Sequence, residues 1–120
     1  MAKDPHVWVV KFHSLLCSSC KAFAPEWEAA TESMHGLHWA AVNIDEKKNL
    51  PLAERFGVLQ EGIPNVKIMN AAEGGPLPVV TGDVPNAKDL MQTIERVLAD
   101  TGAATDEHGW YRGPAMRSEL

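Results

Sequence analysis

Cysteine is scarce in this chain: two residues of 120. Two cannot build the disulfide framework that holds many small secreted domains together. Basic charge is scarce as well. Eleven Lys and Arg face sixteen Asp and Glu, giving a formal net charge of −5 with no basic stripe. A nucleic-acid partner therefore has no electrostatic footing. Long apolar runs are missing too, and none approaches the ~20 residues that cross a bilayer. Residues 1–5, Met-Ala-Lys-Asp-Pro, contain no apolar core of the signal-peptide kind. Either the chain is not secreted by that route, or a leader lies outside this numbering. There are no internal repeats. What remains is 45% hydrophobic and 22% charged, a composition that excludes disorder and suits one domain with a single core.

What is present is ordered by period and punctuation. Val7 to Phe12 is a largely apolar, β-branched run, apolar on both faces, so the strand expected over 7–13 reads as one covered on both sides. Residues 18–34 read as a helix with Pro25 inside it, where a kink is expected, and with Gly36 suited to a left-handed cap. Residues 38–44 form a second strand, joined to the first by a connection long enough for a right-handed parallel crossover. A charged turn and a short helix over 50–56 follow, stopped by Gly57. Residues 59–62 read as a loop leading into Ile63-Pro64. Strands are expected at 65–69 and, edge-like, at 79–81, and the last helix at 86–99. Leu90, Met91, Ile94, Val97 and Leu98 fall on one face of that helix. The residues from Asp100 onward are polar and Gly-rich and read as a loose tail, dividing the chain into a domain of 1–100 and a tail of 101–120.

The two cysteines stand together, as Cys17-Ser18-Ser19-Cys20, at the turn from the first strand into the first helix. Thiol–disulfide exchange needs a thiolate nucleophile and a second thiol that resolves the mixed disulfide. Positions i and i+3 of a helix share a face, so the two sulfurs can meet. Cys17 falls at the helix N-terminus, where unpaired N–H groups and the helix dipole favour an anion. That makes Cys17 the attacking thiol and Cys20 the resolving one. Metal is the competing chemistry, because Cys17-x2-Cys20-x14-His35-x2-His38 comes near a zinc-finger spacing, although the last gap is short. A pair of inert structural cysteines is the third reading. His13 stands at the strand end as a helper base for Cys17 or as a packing residue.

Several segments, in this order and spacing, resemble the thioredoxin fold and, within it, the catalytic domains of protein disulfide isomerases. They are Val9-Val10-Lys11-Phe12, Cys17 to Lys21, Phe23-Ala24-Pro25-Glu26-Trp27, Val42-Asn43-Ile44-Asp45, Arg55-Phe56-Gly57-Val58, Gly62-Ile63-Pro64 and Thr81-Gly82. The resemblance covers about residues 7–99 and starts at the strand before the cysteines. It implies an α/β thioredoxin-like architecture, β-α-β-α-β-β-α, with a four-stranded mixed sheet and helices on both faces. It implies a disulfide oxidoreductase or isomerase acting on protein or peptide thiols and disulfides, with no bound cofactor. A thioredoxin-like binding or assembly domain with weak exchange is the alternative. The resemblance also implies a cis Ile63–Pro64 bond facing the cysteines, with Leu15, Leu16, Ile63, Pro64 and Gly82 lining a substrate groove. Ser18 and Ser19 would tune the redox poise.

The chain departs from the family pattern at informative places. Leu16 stands where a Trp is usual, and Ala41 where thioredoxins proper have Lys. Lys11 stands where a buried carboxylate usually takes the proton of the resolving cysteine. A lysine there cannot act as that carboxylate, so slower exchange is expected. The last residues, Arg117-Ser118-Glu119-Leu120, share two of four positions with the K-D-E-L retention signal. They suggest the lumen of the endoplasmic reticulum, with the cytoplasm as the alternative.

Overall fold

The computed structural model describes residues 5–114. Four strands, β1 (Trp8–His13), β2 (His38–Asn43), β3 (Asn65–Met69) and β4 (Leu77–Thr81), form one sheet in the order β2-β1-β3-β4. β1 runs parallel to β2 and antiparallel to β3, and β3 runs antiparallel to β4, so the sheet is mixed. Four helices accompany it: α1 (Ser18–Ser33), α2 (Leu50–Arg55), α3 (Val58–Glu61) and α4 (Ala87–Thr101).

The doubly apolar first strand explains the layering. Val7 and Val9 join Val66 and Ile68 beneath Phe23, Trp27 and Ala30 of α1 and Leu90, Ile94 and Leu98 of α4. Val10 and Phe12 point the other way, against Ala53 of α2 and Val58 at the start of α3. Each such large side chain contributes about 1.5–3 kcal/mol relative to exposure. The two helices on the first face are also tied by a polar contact. Glu26 Oε1 accepts from the Ala87 amide at 2.8 Å, at the first turn of α4. Glu26 is therefore a capping residue of α4.

The structure departs from the sequence reading in four places. Residues 58–61 form a helical turn where a loop is expected, because Gly57, at φ 74, restarts the chain after α2. α1 closes at Ser33 with Met34 extended, so left-handed Gly36 lies in the following turn and does not cap the helix. β4 begins at Leu77, and its Pro78 is accommodated on an edge strand, opposite the bulge at Val66/Lys67.

The fourth difference is the largest. The segment expected to be loose is ordered as far as it is described. Ala104–Thr105 (β5) pairs with Tyr111–Arg112 (β6). The carboxylate of Asp106 organises the turn, accepting from the amides of His108 (2.9 Å) and Trp110 (3.0 Å) and from Arg112 Nε (2.8 Å). Burial works against its charge, but these donors outweigh it and hold the Asp106 carboxyl down at about 2. β6 then docks on the body. The Val7 amide donates to Tyr111 O (2.9 Å), and the Tyr111 amide donates to Gly36 O (2.8 Å). Trp110 stacks on His38 at 4.1 Å and 8°. Gly36 allows this approach, since a Cβ there would stand 2.5 Å from the Gly109 carbonyl oxygen. The retention-like residues 117–120 lie outside the described residues.

Candidate active site

The site is built where β1 and β2 end together. Their parallel register pairs His13 with Asn43, which brings Asp45 against the residues that follow β1. The Ser14 hydroxyl donates to Asp45 Oδ1 (2.7 Å), and Asp45 Oδ2 accepts from the Leu15 amide (3.1 Å). Ser14 also closes the turn itself: its hydroxyl accepts from the Leu16 amide (3.1 Å) and its carbonyl from the Cys17 amide (3.3 Å). This turn sets Cys17 at the N-cap of α1, with φ −93 and ψ 116.

The Cys17 sulfur accepts from the Cys20 amide at 3.1 Å, the bond an N-cap side chain makes to the third residue of a helix. Both cysteines are free thiols. Cys17 is half-buried and Cys20 is 6% exposed. Burial pushes the Cys20 thiol up to about 11. Its hydrogen bond with Cys17 and the negative charge of Cys17 push the same way, against a backbone hydrogen bond from Ser14 and the positive charge of Lys11. Ser18 is exposed and Ser19 half-buried; the Cys17 sulfur meets a backbone amide and no serine hydroxyl.

The opposite wall is the loop between α3 and β3. The Ile63–Pro64 bond is cis, and the Ile63 carbonyl oxygen lies 3.9 Å from the Cys17 sulfur. Pro64 is buried, and its carbonyl accepts from the Gly82 amide at 2.9 Å. Gly82 has φ +102, and a Cβ there would press to 3.3 Å from the Glu61 carbonyl oxygen, so the position suits glycine twice over. Leu15 and Leu16, 64% and 89% exposed, form an apolar rim beside half-buried Cys17.

The same loop is pinned from below by charge. The Lys67 ammonium, on a side chain only 3% exposed, is hydrogen-bonded to Glu61 Oε1. Asn65 Nδ2 donates to Glu61 Oε1 (3.1 Å) and to Gly62 O (3.0 Å). Lys67 first, then Asn65, hold the Glu61 carboxyl below its ordinary value of 4.5. A carboxyl whose pKa is depressed on folding stabilises the fold above its unfolded pKa. This contribution is thus complete above about pH 4.5 and is lost as pH falls through the lower folded value. Glu61→Ala leaves the Lys67 ammonium buried without a counter-charge. It is expected to cost about 3 kcal/mol, read as a lower midpoint in urea unfolding at pH 7. A midpoint unchanged from wild type contradicts the pinning.

Behind Cys20 lies a cavity of about 210 Å³ whose wall includes Lys11, His13 and Lys21 as well as the thiol. The Lys11 ammonium sits 5.4 Å from the centroid of the Trp27 ring. Burial holds its pKa below the ordinary lysine value, while Cys20 and Glu28 pull it back up. His13 lines this cavity together with Cys20. The zinc-like spacing does not become a centre. His38 is stacked between Trp8 and Trp110 at the start of β2, while the cysteines follow the end of β1. Among the described residues no group of three or more His, Cys, Asp or Glu side chains is arranged to hold a metal ion.

A cysteine pair capping a helix opposite a cis-proline loop, on a β2-β1-β3-β4 sheet, agrees with a comparison of families: the Thioredoxin model matches residues 1–96. The chain belongs to the thioredoxin family. This thioredoxin domain is 28% identical over 105 residues to a protein disulfide-isomerase like 2-2 of Arabidopsis thaliana, covering 87% of the chain and 22% of the relative. It is 30% identical over 97 residues to human sulfhydryl oxidase 1, covering 73% of the chain and 13% of the relative. The chain thus spans less than a quarter of the length of either relative. Among solved structures, it is similar to a mutant thioredoxin from Halobacterium salinarum. That likeness has a TM-score of 0.64 at 26% identity and covers 81% of this chain and 79% of that one.

Two parts of the thioredoxin site carry weaker sequence signals. Asp45 sits in a charged stretch and reads as a turn residue, yet the strand register makes it the anchor of the turn before Cys17. The Glu61–Lys67 pair is six residues apart across a proline, and no helix or strand period links the two positions.

Proposed function

We propose that this domain is a thiol–disulfide oxidoreductase acting on protein or peptide disulfides, with Cys17 as nucleophile and Cys20 as resolving thiol. The observation that carries the reading is the placement of the sulfur of half-buried Cys17. That sulfur is held by the Cys20 amide at 3.1 Å and faces the Ile63 carbonyl at 3.9 Å. A sulfur so placed is open to an incoming disulfide, and the second thiol lies beneath it. Ile63, Pro64 and Gly82 with the Leu16 rim form the proposed substrate groove. An extended segment could there pair with the Ile63 backbone. Ser18 and Ser19 are proposed to act by polarity alone. The lumen of the endoplasmic reticulum is proposed as the working compartment, a reading supported by the likeness to protein disulfide isomerases.

The test is equilibration in glutathione buffers of graded ratio, with alkylation and intact-mass analysis. The expected result is one reversible transition between two free thiols and an intramolecular Cys17–Cys20 disulfide. Two free thiols throughout the series overturn the reading. One observation favours a second reading, a binding domain with slow exchange: Lys11 stands by Cys20 where a proton-accepting carboxylate would serve it. That reading predicts the same end states, reached much more slowly.

A further inference from the structure

The exchange reading leaves a chemical gap, because the buried Cys20 thiol must shed a proton to resolve the mixed disulfide. Five groups around it carry or accept charge. Lys11 and Lys21 line the cavity behind Cys20, and a lysine side chain in its charged form accepts nothing. Asp45 is already engaged by the Ser14 hydroxyl and the Leu15 amide. Glu28 interacts with Lys11. Neither carboxylate is in the cavity wall.

His13 is the remaining group, and it is placed to serve. It lines the same cavity as Cys20, and its Nδ1 is buried with no hydrogen-bond partner. An imidazolium needs acceptors for both of its N–H groups, so this environment favours a neutral ring. Burial first, then the positive charge of Lys11, act in the same direction, and Asp45 opposes them. A cavity of about 210 Å³ exceeds many times the ~10–15 Å³ that one water requires.

We propose that His13 is the proton acceptor for Cys20, its Nε2 reached through water in this cavity while Nδ1 stays sealed, with the Lys11 ammonium stabilising the thiolate that results. This rests on the exchange reading. In the first step the Cys17 thiolate attacks a substrate disulfide, forming a mixed disulfide and releasing one substrate thiolate, which takes a proton from solvent. In the second step the Cys20 proton passes to the imidazole as the Cys20 sulfur attacks Cys17. The Cys17–Cys20 disulfide forms, and the second substrate thiolate leaves and takes that proton back. The substrate disulfide is reduced to two thiols and the protein dithiol is oxidised. The second step is helped by the first. With the Cys17 sulfur tied up in the mixed disulfide, its charge no longer raises the Cys20 thiol, while Lys11 and the Ser14 backbone still lower it.

The experiment follows both leaving thiols of a symmetric peptide disulfide by quenched-flow, with the reduced full chain in wild-type, His13→Gln and His13→Ala forms. The first thiol is expected at an unchanged rate in all three, which also shows that the site is folded. Release of the second is expected to slow by about 10²-fold in both variants. In wild type that second rate rises with pH in the range below 6.5, as His13 becomes neutral, and both variants lose the rise. Second-thiol release at the wild-type rate in either variant, or the rise retained, overturns the proposal. If wild type releases no first thiol, the exchange reading itself fails and the proposal goes with it.

Discussion

Replacing Cys20 with serine is expected to turn the domain into a trap. Incubated with an excess of a disulfide-bonded peptide, Cys20→Ser accumulates a one-to-one adduct through Cys17. Cys17→Ser forms no adduct, and its reduction of the peptide falls by a factor on the order of 10³ or more. The asymmetry follows from burial. Cys17 is half-buried, while Cys20 is only 6% exposed, so an incoming disulfide is expected to reach Cys17 first. The thiol equilibria agree, since burial and Cys17 push Cys20 to about 11, and a thiol so protonated is a poor nucleophile at neutral pH. The trap works because serine removes the only group beneath Cys17 that could expel the peptide. Intact-mass analysis under non-reducing conditions reads the adduct directly. Equal adducts from both variants would contradict the assignment of roles.

The parts of this molecule that were legible from the chain are those fixed by local signals. The run at Val7–Phe12, apolar on both faces apart from Lys11, reads as a strand covered on both sides, and it lies inside the sheet. The i, i+3 spacing of Cys17 and Cys20 at a strand-to-helix turn encodes the N-cap without reference to the rest of the fold. The cis Ile63–Pro64 bond is a different case, since X–Pro pairs in general are cis in only ~5–6% of cases. Residue type and spacing alone would not find it; the family resemblance did. The contacts that escaped are those set by register between distant strands. Asp45 becomes an anchor because β1 and β2 pair in parallel and end side by side. His13 meets Cys20 across a shared cavity that no local sequence period foretells. Lys67 carries no sequence signal of burial, but its bond to Glu61 of α3 goes with a side chain only 3% exposed.

Truncation after Gly102 tests the segment in which sequence and structure diverge most. Polar composition and two glycines made residues 103–114 read as a tail, and removing a tail changes stability little. The structure gives this segment a tertiary role. Tyr111 packs on the main core, and its backbone exchanges hydrogen bonds with Val7 and Gly36. Losing that burial costs about 2 kcal/mol, and the two hydrogen bonds about 1 kcal/mol each. The truncated chain is therefore expected to be less stable by about 4 kcal/mol, out of a total on the order of 5–15 kcal/mol. At about 4 °C per kcal/mol that is a fall in Tm of about 15 °C, measured by thermal unfolding. Tyr111→Ala in the full chain should reproduce about half of it. The cysteines lie beyond the far end of β1 from this docking point, so below the lowered Tm the rate of mixed-disulfide formation should be unchanged. A truncated chain that melts with the parent would mean that the hairpin contributes nothing to the fold. One that melts early and also loses exchange below its Tm would mean that the hairpin and the site are coupled through the length of the sheet.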